Sequence, residues 1–229
     1  MNLTHPISSV GELIAEPART SILMALLDGR ARTAGDLAMI ANISPQSASA
    51  HLSKLVAGEL LTVRNHGRHR YYSISGPEVA YALEALGAIA TRPRPATAVP
   101  SREGLEMYRA RSCYDHLAGR AAVELTKALE KFDVIRTSGE RDYTLGPKGR
   151  AWFAELEIDA DALRASRRNF ARRCLDWTER KPHLAGALGA ALFSRILADG
   201  WIARCRGTRA LRITHRGARE MQNRFGFVA

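Results

Sequence analysis

Residues 33–52, TAGDLAMIANISPQSASAHL, predict two consecutive helices separated by a short turn. Thr33 and Ser44 are residue types that commonly cap helix N-termini, and the proline after Ser44 suits a first helical position. These signals place the helices at about 34–40 and 45–56. In the second helix apolar residues recur three and four positions apart, so one face packs inward while the other is polar and exposed. This order is typical of a helix-turn-helix.

Two short strands with a basic connection follow the helix pair. β-Branched and aromatic residues predict strands at 60–64 and 70–74, and residues 65–69, NHGRH, form a basic hairpin tip between them. Three further helices are predicted at 10–15, 17–27 and 77–90. The last of these is apolar on most sides and therefore needs a partner surface. Residues 1–92 are thus expected to fold as a winged helix-turn-helix.

The exposed polar face of the second helix and the hairpin tip suit duplex DNA. Amide and hydroxyl side chains can reach base edges, while helix N-termini, hydroxyl groups and cations bind phosphates. The candidate DNA contacts are Thr33, Ser44, Gln46, Ser47, Ser49, His51, Lys54, Arg64, His66, Arg68 and Arg70. Two alternatives stay open: His51 packs against a neighbouring helix, and the arginines of the tip are simply solvated.

The sequence resembles the ArsR-type (arsenic-repressor) winged-helix regulators over about residues 8–90. The stretches that carry the resemblance are 16–29, EPARTSILMALLDG, then 33–63, and 66–74, HGRHRYYSI. The resemblance implies a homodimer held by the first and last helices of this unit, which binds a two-fold operator, usually represses, and is released by an effector. It supports base-side roles for Gln46, Ser47, Ser49 and His51, and wing roles for Arg68 and Arg70.

Composition is compatible with this expectation. The net charge of +11 favours a polyanionic partner, and the 46% of hydrophobic residues is ordinary for a globular protein. No signal-peptide pattern or membrane-length apolar run is present, so we expect a cytoplasmic protein. The fold class expected is α+β, mainly helical with small β-hairpins.

The proline-rich stretch around residues 91–101 predicts a linker, and a near-repeat follows it. The predicted regions are 1–92, the linker 93–103, and a C-terminal domain at 104–229. DHLAG at 115–119 recurs as PHLAG at 182–186, each before a helix, a hairpin and a basic turn. We expect two winged-helix-like repeats there, joined by a long helix at about 159–179. The alternative is that this common order arose without duplication.

The effector site of the ArsR-type pattern is absent from this sequence. The Cys-x-Cys expected in the third helix is replaced by Ala34-Gly-Asp-Leu-Ala-Met39, and 77–90 lacks the expected His and Asp ligands. In the C-terminal region Cys113 and His116 are expected on one helical face, with Cys174 and His183 near a second helix end. These four could bind zinc or another thiophilic metal. Redox sensing by the two thiols and simple core packing are the alternatives.

Other functions remain as alternatives to a ligand-responsive repressor. One is a sequence-independent architectural DNA-binding protein. Another is a thiol or metal enzyme that carries a DNA-targeting module. The sequence has no nucleophile elbow, phosphate loop or HExxH motif, so a non-enzyme is expected.

Overall fold

The computed structural model describes residues 6–90 and 102–227, which form eleven helices and eleven short strands. The strand pairs are antiparallel, so the predicted α+β class, mainly helical with small hairpins, is confirmed. Contacts divide the chain between Leu83 and Glu84 into an N-terminal unit and a C-terminal unit. Within the two described ranges, no helix is long and apolar enough to cross a membrane.

The predicted domain limits are not tested by this division and stay a prediction. Most of the predicted linker, residues 93–101, lies outside the described residues, and its last two residues begin a helix.

The N-terminal unit has the order expected of a winged helix-turn-helix. Its elements are α1 (Pro6–Ile14), α2 (Pro17–Leu26), β1 (Arg32–Thr33), α3 (Ala34–Ala41), α4 (Pro45–Ala57), β2 (Leu61–His66), β3 (His69–Ile74) and the first half of α5 (Pro77–Ala90). The predicted helices and strands are all present, and no end is shifted by more than four residues. The sequence missed β1, which pairs Arg32 with Tyr72 and completes a sheet of order β1-β3-β2.

The core of this unit fixes the direction of α4. Side chains of α2, α3 and α4 are fully buried against one another: Ile22, Leu23, Leu37, Ala48, Leu52 and Leu55. Because the three buried residues of α4 lie on one stripe, the opposite stripe of that helix is turned to solvent. Asn42, with a positive φ of 51°, ends α3 and makes the turn into α4.

The C-terminal unit contains a duplication. Its elements are α6 (Arg102–Arg109), β4 (Arg111–Cys113), β5 (His116–Ala118), α7 (Arg120–Lys131), β6 (Ile135–Ser138), β7 (Asp142–Leu145), α8 (Gly149–Glu155), α9 (Ala160–Ala165), β8 (Arg172–Leu175), β9 (Pro182–Ala185), α10 (Gly186–Ala198), β10 (Ile202–Arg204), β11 (Leu211–Ile213) and α11 (His215–Phe225). The order hairpin, helix, hairpin, helix occurs twice, in a first copy at 111–155 and a second copy at 172–225. The predicted repeats are therefore present, each with an additional leading hairpin.

Strand pairing connects the two copies reciprocally. In the sheet β6-β7-β8-β9, Asp142 of the first copy pairs with Arg172 of the second. The equivalent bridge joins Arg111 of the first copy to Ala210 of the second. The first (leading) hairpin of each copy thus pairs with the second (trailing) hairpin of the other copy. Both copies pack around one shared apolar core.

The long helix predicted at 159–179 is wrong. Helix α9 ends at Ala165, where Ser166 takes an extended backbone, and the chain then forms strand β8. The helical placement of Cys113 and His116 is wrong as well, because these residues face each other across the β4–β5 hairpin. The strands are only three or four residues long, so they carry no alternating pattern that sequence reasoning could recognise.

Two glycines at equivalent positions hold each leading hairpin against its helix. Gly119 and Gly186 have φ values of +85° and +79°. A Cβ at Gly119 would lie 2.9 Å from the carbonyl oxygen of Tyr108, and one at Gly186 would lie 2.8 Å from that of Asn169. Only glycine fits there, because both the backbone angle and the close approach exclude a side chain.

Candidate functional site

Helix α4 presents a polar stripe to solvent. Gln46, Ser47, Ser49 and Lys54 are exposed, on the side opposite the buried apolar residues of the helix. The serines near the N-terminus of α4 have short side chains, so the helix backbone can approach another molecule closely there. The arrangement brings these four sequence-predicted contacts onto one accessible face.

Hydroxyl groups cap the two helices of the helix-turn-helix. The N–H of Ser47 donates to Oγ of Ser44 at 3.1 Å, which defines the start of α4. Thr33 and Asp36 form a capping box at α3, in which the Thr33 hydroxyl donates to the Asp36 carboxylate at 2.7 Å. Ser44 is exposed, whereas Thr33 is half-buried and engaged with an acidic partner. Ser44 is therefore better placed than Thr33 to meet a phosphate.

His51 lies away from the exposed stripe. It is half-buried, and its Nδ1 lies 3.5 Å from Oε2 of Glu16, the residue that caps α2. This position agrees with the alternative in which His51 packs against a neighbouring helix.

The wing is the hairpin formed by β2 and β3. Only Gly67 and Arg68 form its turn, and Gly67 has a φ of +57°. Arg64 pairs with Tyr71 across the strands, and His66 pairs with His69. Every residue from 64 to 70 is exposed, and none of them is acidic. The wing thus carries Arg64, His66, Arg68 and Arg70 as a cationic projection.

Aromatic rings stiffen the base of the wing. The guanidinium of Arg70 lies 5.6 Å from the ring centre of Tyr72, which is buried. The rings of His66 and His69 both contact Tyr71 edge-on, at 6.3 and 6.4 Å. These contacts restrict the side chains that flank the turn.

A second constellation lies inside the C-terminal unit. We call it the Cys2His2 cluster, and it consists of Cys113, His116, Cys174 and His183. All four residues are buried, and their ligand-type atoms lie within 4.8 Å of one another. The two Sγ atoms are 3.9 Å apart, and the two imidazole centres are 5.1 Å apart. The structure thus brings together all four residues proposed from the sequence.

The cluster follows the internal duplication. Cys113 pairs with His116 across the first leading hairpin, and Cys174 pairs with His183 across the second. Each copy therefore contributes one thiol and one imidazole from equivalent strand positions. Cys205, the third cysteine, is half-exposed and is not part of this cluster.

Each imidazole of the cluster has a carboxylate beside its Nδ1. Asp115 Oδ1 lies 3.3 Å from Nδ1 of His116, and Asp176 Oδ2 lies 3.6 Å from Nδ1 of His183. Sequence reasoning did not single out either aspartate for this role. The available signal was their position in the hairpin turns that follow Cys113 and Cys174.

The surroundings shift the pKa values of these groups. The hydrogen bond with Cys174 and complete burial raise the pKa of the Cys113 thiol well above its ordinary value. Burial alone would lower the pKa of His116, but contacts with Cys113 and Asp115 raise it to about 9. Burial alone would raise the pKa of Asp176, but the Arg111 guanidinium, together with His183 and the hydrogen bonds from Thr178 and Glu179, outweighs it and holds that pKa well below its usual range.

The arginines of the trailing hairpin in the second copy are not a uniform basic surface. Arg209 is buried and pairs with Glu84 at 2.5 Å, and the Arg204 guanidinium lies 5.4 Å from the ring centre of Phe193. Arg206 is exposed. Arg209 is therefore a buried, ion-paired cation of the C-terminal unit.

Comparison with known proteins matches the N-terminal unit to a family and most of the chain to a relative. Residues 14–64 match the helix-turn-helix domain model HTH_20. The uncharacterized HTH-type transcriptional regulator YdfF of Bacillus subtilis (strain 168) is 42% identical over 211 residues, which cover 92% of this chain and 93% of YdfF.

Two further similar proteins match about a third of this chain. The transcriptional repressor SdpR of Bacillus subtilis (strain 168) is 40% identical over 68 residues, or 30% of this chain and 74% of SdpR. A homodimeric winged helix-turn-helix DNA-binding domain from Mycobacterium bovis is 30% identical with a TM-score of 0.35, covering 37% of this chain and 78% of that one.

Proposed function

Because the chain belongs to the helix-turn-helix transcriptional regulators, as its likeness to YdfF over nearly its whole length shows, we propose that it is an ArsR-type repressor. It binds a two-fold DNA operator as a homodimer. The observation that carries the proposal is the pairing of a solvent-facing polar helix with a cationic wing on one small core. We assign it no catalytic activity and place it in the cytoplasm, where its DNA is.

Helix α4 reads bases in the major groove. Gln46 can form two hydrogen bonds to an adenine, and Ser47 and Ser49 can donate to or accept from base edges. The exposed hydroxyl of Ser44 and the free N–H groups at the start of α4 bind the adjacent phosphate. Lys54, which lies further along the same exposed stripe, contacts the DNA backbone and does not read the base sequence.

The wing supplies affinity that does not depend on sequence. Arg64, Arg68 and Arg70 bind phosphates or enter the minor groove beside the site that α4 reads. His66 assists as a hydrogen-bond donor beside the turn. Thr33 and His51 position the helices, Thr33 by capping α3 and His51 through Glu16.

The dimer is supported by apolar side chains that the single chain leaves exposed. On α1, Ile7 and Val10 are exposed and the helix buries no residue. On α5, Leu86 and Ile89 are exposed. Exposed apolar residues that cluster on a helix mark interaction surfaces, and the ArsR-type resemblance assigns these two helices to the partner subunit.

Selection from a pool of random duplexes tests this proposal. A repressor of this type enriches one motif with two-fold symmetry, and that motif confers repression on a reporter promoter in cells. Enrichment of no motif, with binding that depends only on salt concentration, would instead support the architectural alternative.

A further inference from the structure

We propose that the Cys2His2 cluster binds a thiophilic divalent cation, with zinc as the natural ion, through Cys113, His116, Cys174 and His183. This site lies in the C-terminal unit and goes beyond the proposed repressor function. It is distinct from both effector positions of the ArsR-type pattern, neither of which this sequence carries.

The distances between the four side chains suit tetrahedral coordination. A zinc ion bound by two thiolates at about 2.3 Å holds the sulfur atoms about 3.8 Å apart. The Sγ atoms of Cys113 and Cys174 are 3.9 Å apart, and all four ligand atoms lie within 4.8 Å of one another. Two thiolates and two imidazoles form a ligand set that zinc commonly takes in closed, structural sites.

The histidines are oriented as metal ligands usually are. In zinc sites the ring nitrogen that does not bind metal typically donates to a carboxylate, which fixes the tautomer and the ring plane. Asp115 lies 3.3 Å from Nδ1 of His116, and Asp176 lies 3.6 Å from Nδ1 of His183. Asp115 is within hydrogen-bond distance of its Nδ1, whereas Asp176 lies on the Nδ1 side of His183 and would have to move slightly closer to accept the N–H. With the carboxylates on this side, Nε2 is the ligand atom that we assign to each imidazole.

Among the described residues, neither ring nitrogen of His183 has a hydrogen-bond partner, and Asp176 lies 3.6 Å from Nδ1. Within the described part of the chain, Nε2 of His183 is completely buried and makes no hydrogen bond. A buried imidazole nitrogen without a partner loses free energy relative to water, and coordination would remove that loss. Simple packing of four side chains leaves this atom unexplained.

Binding balances charge and protons in a simple way. The ion displaces one proton from each thiol and the proton that an imidazolium carries on the coordinating nitrogen, these protons pass to solvent, and the two thiolates neutralise the divalent charge inside the core. The aspartates behind the histidines are already ion-paired with Arg168 and Arg111, so they add no uncompensated charge. A disulfide between the cysteines would need an oxidant, and it would give the two buried imidazoles no metal ion to bind.

The site lies between the two copies of the repeat, so a bound ion would connect them. Cys113 and His116 come from the first copy, and Cys174 and His183 come from the second, so the ion cross-links the leading hairpins of both copies. Residues 61 positions apart are thereby joined at the centre of the C-terminal unit. We expect the ion to stabilise this unit, because a site absent from the unfolded chain adds its binding free energy to folding.

The test uses the full-length protein, freed of metal under reducing conditions and titrated with zinc or cobalt(II) alone. We expect one equivalent of zinc to bind tightly and to raise the melting temperature. Cobalt(II) is expected to give the intense visible absorption of a tetrahedral ion and a thiolate-to-cobalt band in the near ultraviolet. Neither readout involves DNA, so failure here is separable from failure of the repressor proposal.

Variants locate the ion. Cys174→Ser and His183→Gln should abolish stoichiometric binding, whereas Cys205→Ser, which removes the cysteine outside the cluster, should bind as the parent does. Asp115→Asn keeps all four ligands and should weaken zinc binding by about 10–100-fold. That variant remains informative if loss of a ligand prevents folding.

Three results would overturn the proposal. The first is a folded, reduced parent that binds no zinc or cobalt. The second is a cobalt spectrum without the thiolate band. The third is equal loss of binding in Cys205→Ser and Cys174→Ser, which would show that binding requires a cysteine outside the four-residue cluster.

Discussion

The guanidinium Nη2 of Arg111 lies 2.9 Å from Oδ2 of Asp176, and both side chains are completely buried. Arg111 begins strand β4 of the first copy, whereas Asp176 follows strand β8 of the second. The Arg111 guanidinium also stacks on Trp177, 4.5 Å from its ring centre. The Asp176 carboxylate further accepts the N–H of Gly119 at 2.7 Å and that of Thr178 at 2.9 Å. This pair therefore joins the two copies through a buried network of hydrogen bonds.

Replacing Asp176 by Asn should destabilise the C-terminal unit strongly. The variant leaves the buried Arg111 charge without its counterion, and breaking a buried pair in this way costs about 3–5 kcal/mol. Denaturant unfolding, measured with a chelator present so that no metal contributes, checks the loss. Asp161→Asn is the matched control, because it breaks the exposed pair with Arg150 and should cost far less. Similar losses for both variants would show that the buried pair does not hold the copies together.

The same carboxylate predicts how stability depends on pH. Arg111 lowers the pKa of Asp176 in the folded protein, so the ionised form stabilises the fold above the ordinary aspartate range. This contribution is lost as the pH falls below about 4, where the unfolded chain binds the proton first. We therefore expect the stability difference between the parent and Asp176→Asn to shrink on acidification. A difference that stays constant from neutral pH to the acid limit would contradict this assignment.

A charged residue on α5 should prevent dimerisation. Ile89 is 73% exposed, and Ile89→Asp places a carboxylate in the proposed apolar interface. Sedimentation velocity should then detect a monomer at concentrations where the parent is a dimer. Met39→Asp provides the control, because Met39 is 76% exposed but lies on α3, outside the proposed interface. A dimer that survives Ile89→Asp unchanged would remove α5 from the subunit interface.

The wing should contribute to the salt dependence of DNA binding. Each phosphate contact changes the slope of log affinity against log salt by about 0.9, so Arg68→Ala in both subunits should flatten that slope by nearly two. Fluorescence anisotropy across a salt series measures it. Arg136→Ala removes a surface arginine of the C-terminal unit that is paired with Asp133, and it should leave the slope unchanged. Equal slopes for the parent and Arg68→Ala would show that the wing tip does not contact DNA.

Local signals predicted the N-terminal unit well. The cap at Ser44, the proline after it and the spacing of Leu52 and Leu55 act within one helix, so the sequence alone specifies α4 and its exposed stripe. The limits of α5, Pro77–Ala90, agree with the prediction for the same reason. Strand β1 was missed because two residues form no pattern, and their strand character comes from pairing with β3.

The C-terminal unit depends on contacts that local patterns do not encode. Each of the hairpins that carry Cys113 and Cys174 is stabilised by the other copy of the repeat. The contacts are the ion pair between Arg111 and Asp176 and the bridge between Arg111 and Ala210. Cys113 and His116 are three residues apart, a spacing that suits one helical face equally well, and the hairpin puts them together by cross-strand pairing instead. The repeat itself was visible, and matching DHLAG at 115–119 with PHLAG at 182–186 superimposes both imidazoles. The thiols do not superimpose in that alignment, because Cys174 and His183 are nine positions apart whereas Cys113 and His116 are three apart.

Affinity for the operator obtained by selection is the most direct test of the central claim that α4 and the wing read DNA. The comparison is between the parent and a variant carrying Gln46→Ala, Ser47→Ala and Arg68→Ala, all of them exposed positions at which the fold is expected to survive. We predict that the variant remains folded and dimeric while its affinity for the operator falls by at least about tenfold. A folded variant that binds the operator as tightly as the parent would contradict the account.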